Sequence, residues 1–128
     1  MATFAQRAAY DALADRLSLL DLDLLIGLPR VIQRVPAAYL SSVQVTGPPG
    51  MFAPTALRPT LTLLVNWQEN AAAEYQLIDL VDLVANDLHR AQLASICKCS
   101  IETINYDFRD VGGIAYRVAD FTLVLSQL

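Results

Sequence analysis

The sequence predicts an α+β fold: a two-layer sandwich in the order α-β-β-α-β-β, with two helices packed on a mainly antiparallel four-stranded sheet. Three observations carry that expectation. Residues 104–128 hold two apolar runs separated by a charged, glycine-containing break, the pattern of a β-hairpin. Two other stretches, near the N-terminus and in the second half, repeat their apolar residues at helical spacing. Between them lie two stretches that alternate at period two. Helices flanking a largely antiparallel set of strands pack as two layers.

Residues 3–20 read as the first helix, with Phe4, Ala8, Ala12 or Leu13, Leu17 and Leu20 on one face. Gln6, Arg7, Asp11, Asp15 and Arg16 fall mostly opposite, and Thr3 is placed to act as N-cap. Leu22–Leu28 is apolar but short, ended by Gly27 and Pro29, and is compatible with a short strand or with more helix. Val35–Val45 is the first strand, opening at Pro36, where proline is tolerated. Residues 47–59 (GPPGMFAPTALRP) hold four of the six prolines and two of the five glycines, so they read as a long loop presenting Met51 and Phe52 near its tip. Thr60–Trp67 is the second strand, with Leu61, Leu63, Val65 and Trp67 on its apolar face.

From Glu69 to about Leu93 runs the second helix, with Leu77, Ile78, Val81, Val84, Ala85 and Leu88 as its apolar stripe and Arg90 complementing its dipole. A third strand starts near Ser100 and enters the hairpin. There Ile104, Tyr106 and Phe108 share a face, and Arg109-Asp110-Val111-Gly112-Gly113 supplies turn chemistry, since paired glycines tolerate positive φ. The last strand puts Ala119, Phe121, Leu123 and Leu125 on one face. Its other face carries Tyr116, Val118, Asp120, Thr122 and Val124, so both faces are bulky and it belongs inside a sheet or against a partner.

The whole chain, residues 1–128, reads as one domain. Its apolar share of 55% against 17% charged residues exceeds what one small core readily hides, which predicts an oligomer or a permanent partner. With 9 basic and 13 acidic residues the net charge is −4, which argues against nucleic acid as the main partner. No apolar run approaches the ~18–20 residues of a membrane span, and Arg7, Asp11, Asp15 and Arg16 interrupt any signal-peptide core. No membrane or secretory route is therefore expected. Cys97 and Cys99, one residue apart, read as free thiols in a reducing cytosol, since two ligands do not complete a zinc site.

Catalytic chemistry finds no constellation. The single histidine, His89, has no readable triad partners and reads as a helix-end residue. Asp21 and Asp23 lack a calcium-loop pattern, Asp79 and Asp82 read as a solvated helix face, and no phosphate-binding glycine motif occurs. The chain is therefore expected not to be an enzyme, and no metal or cofactor is assigned. Charges around the hairpin differ in kind. Asp107, Arg109 and Asp110 fit a solvated turn or a contact with another protein, and Arg30 and Arg34, flanking Val31 and Ile32, invite the same two readings.

The C-terminal YDFRDVGGIAYRVADFTLVL, the strand opening RVPAAYLSS and the helix AAYDALADRL together resemble the tail terminator (tail completion) proteins of long-tailed phages, the lambda-type minor tail protein and its relatives. The similarity spans most of the chain, although the Pro-rich 47–59 loop and the apolar 22–28 segment depart from the family pattern. The resemblance implies a structural virion protein that forms a hexameric ring, caps the tail tube, ends its polymerisation and offers the head-docking surface. It implies as partners further copies of the chain, the tail tube protein, a head-completion or neck protein and, in contractile tails, the sheath. Its place would be the tail of a phage or phage-like particle such as a tailocin, assembled in the host cytoplasm. On that reading Met51 and Phe52 anchor a protomer or tube contact, and Arg30, Arg34, Arg109 and Asp110 make polar contacts at a ring face. The competing expectations are another head–tail connector component and a small α+β ligand-binding domain, which would show a pocket with convergent polar groups.

Overall fold

A computed structural model describes residues 5–46, 55–67 and 71–128. Its elements are α1 (Gln6–Leu17), β1 (Asp23–Ile26), β2 (Ala37–Thr46), β3 (Ala56–Asn66), α2 (Ala71–Leu88), β4 (Ala91–Leu93), β5 (Cys97–Val111) and β6 (Ile114–Gln127). The expected four-stranded antiparallel sandwich is not what forms. The strands make one six-stranded mixed sheet in the order β1-β2-β3-β6-β5-β4, curled into a half-barrel, and about half of the described residues are strand.

Two short edge strands account for the difference. Asp23–Ile26, inside the apolar stretch that the sequence left open, pairs parallel to Ala37–Leu40 of β2. Parallel neighbours cannot be joined by a tight turn. Residues 27–36 therefore cross over one face of the sheet before β2 begins, with Gly27 at φ +81° where the chain leaves β1. At the other edge α2 stops at Leu88, and Ala91–Leu93, expected as its last turn, pairs antiparallel to Cys97–Cys99. Arg90, Ala94 and Ser95 hold positive φ there, a conformation the sequence does not advertise because none of them is glycine.

The hairpin forms where expected, but its turn is shorter: Arg109, Asp110 and Val111, expected in the turn, pair with β6. β5 and β6 pair over their full length, Val111 opposite Ile114, with Gly112 and Gly113 at φ +62° and +83° as the two-residue loop. Positive φ at both central residues gives the primed turn whose twist suits flanking strands. β6 lies between β3 and β5, so its two bulky faces are both used.

Both helices sit on one face. Ala9, Leu13 and Leu17 of α1 and Leu77, Val81, Val84 and Leu88 of α2 pack on Leu40, Leu61, Leu63, Phe121, Leu123 and Leu125. Ile78, expected in that stripe, is exposed, because 77, 81, 84 and 88 already face the sheet and 78 is turned toward β5. Arg16 of α1 ties the helices together through Asp87, Nε to Oδ2 at 3.0 Å. On the opposite face the 27–36 strap closes a second, smaller core of Ile32, Ala37, Tyr39, Leu64, Val111, Tyr116 and Val118.

Phe121 is fully buried in the larger core. Phe121→Ala should destabilise the chain by roughly 3–5 kcal/mol in denaturant unfolding. The two turn glycines should part company. A Cβ on Gly113 meets nothing within 4 Å, whereas one on Gly112 would lie 2.7 Å from the Arg30 carbonyl oxygen. Gly113→Ala should therefore cost only the left-handed penalty of about 1–2 kcal/mol, and Gly112→Ala distinctly more.

Candidate interaction surface

Three groups of side chains surround the β5–β6 hairpin, and they place most of the residues singled out by sequence. At its tip, Asp110 accepts the Gly113 amide through Oδ1 at 2.9 Å, closing the turn. The strap crosses beside it, with the Arg30 carbonyl and the Val31 Cα facing Gly112. The structure thus brings Arg30 and Asp110 to the same end of the sheet. Arg30, Val31 and Arg34 are exposed on the strap's outer side, and neither guanidinium has an ion pair among the described residues. Met51 and Phe52 lie outside the described residues.

Arg109 is engaged within the chain. Its guanidinium grips Asp120 with two bonds, Nη1 to Oδ1 at 2.9 Å and Nη2 to Oδ2 at 2.7 Å, and Nη1 also donates to the Tyr39 hydroxyl at 3.0 Å. Thr62 Oγ1 donates to Asp120 Oδ1 at 2.5 Å. The network joins β2, β3, β5 and β6 across the helix-free face, beside the smaller core. Burial acts to raise the Asp120 carboxyl, but the bonds from Arg109 and Thr62 outweigh it and hold the pKa below the usual value. The same pairing, led by the hydrogen bond to Asp120, drives the Arg109 guanidinium further from deprotonation.

The third group lies on the helix-bearing face of the same strands. Arg117 pairs with Glu74 of α2, Nε to Oε1 at 2.5 Å, and donates through Nη1 to the Asp107 carbonyl. The hydrogen bond from Arg117 lowers the Glu74 pKa. The Arg117 guanidinium lies over the Phe108 ring, 4.4 Å from its centroid, and over Tyr106 at 5.8 Å. Trp67 meets Phe108 edge to face with centroids 5.8 Å apart. Despite these contacts Trp67, Tyr106, Phe108 and Ile78 remain between 41 and 53% exposed. Between α2 and β5, Glu74, Ile78, Tyr106 and Arg117 line a cleft of about 380 Å3. The alternation of Ile104, Tyr106 and Phe108 placed these residues on one face, but nothing in it said that the helix would leave them uncovered.

Elsewhere, His89 accepts the Ile101 amide at Nδ1 (3.2 Å), and Cys97 and Cys99 are free and buried. Burial, reinforced by its neighbour Cys97, pushes the Cys99 thiol up to about 12, which suppresses thiolate chemistry. Among the described residues no three His, Cys, Asp or Glu gather as metal ligands, and no helix is long and apolar enough to cross a membrane. No protein-family model matches the chain, and no curated protein matches it.

Replacing Arg109 by Met would leave Asp120 largely shielded and short of its cationic partner, so a loss of roughly 1–3 kcal/mol is expected. Because the Asp120 pKa is depressed by folding, its stabilisation is complete above the ordinary carboxylate range and fades as pH falls through the folded-state value. Asp120→Asn should remove that acid limb, so the stability gap between wild type and variant should narrow below about pH 4.

Proposed function

We propose that the protein is a structural assembly protein of the tail-terminator kind, acting as a hexameric ring on the end of a phage tail tube. The reading rests on the similarity of the hairpin, strand and helix segments to that family. The observation that supports it most is the aromatic surface of Trp67, Tyr106 and Phe108, which is held in place by cation–π stacking and by the Arg117–Glu74 pair yet left open. Large exposed apolar groups rimmed by charge mark a contact surface. Mounted on and beside a full-length hairpin inside a sheet, such a surface docks with little backbone left to order.

The charged side chains of this region are engaged within the chain. Arg109, Arg117, Asp120 and Glu74 are saturated by one another. The 380 Å3 cleft has its two charged groups bonded together and not converging on open space. A self-associating surface that joins unlike patches generates a ring when its rotation closes.

Light scattering over a range of concentrations should give the mass of a closed hexamer. Tail tubes incubated with the protein should carry a ring at one end in electron micrographs and stop lengthening. Tubes that lengthen unchecked and stay bare would sink the reading.

A further inference from the structure

The β5 edge is open but blunted. β4 covers it only at Cys97–Cys99. Beyond that, the Ile101 amide is taken by His89 and the Phe108 amide by the Asp107 carboxylate at 2.8 Å. Capped edge amides oppose addition of a further strand. The side chains on this flank are a different matter. Trp67, Tyr106, Phe108 and Ile78 form an uncovered apolar surface, and the exposed carboxylate of Asp82, one helical turn beyond Ile78 on α2, has no ion pair among the described residues. Asp82 flanks the cleft that Ile78 and Tyr106 line; burial, and then the Asp82 charge, raise the pKa of the Tyr106 hydroxyl. The patch is aromatic and acidic.

The strap on the opposite face has the complementary character. Leu28 is 76% and Val31 55% exposed, and Arg30 and Arg34 beside them are unpaired among the described residues. Its path is fixed by Ile32 in the smaller core and by the close passage over Gly112. We infer that the Leu28–Arg34 strap of one copy docks on the Trp67–Tyr106–Phe108 patch of a second copy, its arginines meeting Asp82. Resting on the ring reading, this identifies the surfaces that would join neighbouring protomers. Strap and patch lie on opposite faces of the sheet, so the contact joins unlike surfaces and repeats head to tail. Pairing two β5 edges about Tyr106 instead would set Glu102 against Asp110 of the other copy, a like-charge arrangement.

Trp67 is the only tryptophan, so its fluorescence reports on the patch directly. As concentration rises and light scattering records assembly, acrylamide quenching of Trp67 should fall and its emission shift to the blue. Arg30→Glu with Arg34→Glu should weaken association at least about tenfold, as should Asp82→Arg, because each sets like charges together. The three changes combined in one chain should restore association and Trp67 protection, which a misfolded variant would not do. Assembly that leaves Trp67 as quenchable as in the monomer, or that ignores both reversals, overturns this contact while leaving the ring intact. A chain that stays monomeric in solution at every concentration also overturns it. Failure of the ring reading itself would appear instead as bare tail tubes.

Discussion

At Gly112 the main chain of the strap passes so close that any side chain would meet the Arg30 carbonyl oxygen at 2.7 Å, and much of the fold depends on that passage. Because β1 and β2 are parallel neighbours, the chain must cross from one end of β1 to the other end of β2. It does so over the helix-free face, and the tip of the β5–β6 hairpin is where it is pinned. Ile32 then drops onto Val111, Tyr116 and Val118, giving that face a core of its own. The glycine serves twice: its positive φ makes the turn, and its missing Cβ makes room for the crossover.

That crossover also explains the burial of Asp120, Thr62 and Tyr39. A single-sided sheet would leave them in water. With one end of the face covered, Thr62 is shielded almost completely and Asp120 largely, and each needs a partner. Arg109 supplies it with a bidentate grip and spends its remaining reach on the Tyr39 hydroxyl. The role foreseen for Arg109 at a ring face thus competes with a structural one inside the chain. On the strap, Arg30 and Arg34 face no such demand, since the same crossover that buries Ile32 turns its polar neighbours outward.

Long periodic elements were legible in the sequence and short ones were not. The hairpin, both helices and the cores of β2 and β3 announce themselves through alternation, helical spacing and the Gly-Gly turn. β1 and β4 do not, because three or four residues cannot establish a period and their place is decided by pairing with distant strands. The end of α2 was overrun for a related reason: Arg90, Ala94 and Ser95 adopt left-handed conformations without glycine, and the surrounding pairs hold them there. For the surface, the alternation put Ile104, Tyr106 and Phe108 on one face. Their exposure depends on where α2 ends its contact with the sheet, a tertiary fact. Arg30 and Arg34 stood out by composition alone, while the Asp120 network needed four strands brought together.

The two faces of the sheet divide their work in a way that bears on assembly. Both ends of the open stretch of β5 have an amide answered from within the chain, so main-chain hydrogen bonding to a neighbour is discouraged where it would be least selective. The exposed side chains differ between the two faces: aromatic with the Asp82 carboxylate on the α2 side, aliphatic with guanidiniums on the strap. Like surfaces repel through their charges, and unlike surfaces attract. An arrangement of that kind selects direction as well as partner, which a closed head-to-tail ring requires and a face-to-face dimer does not.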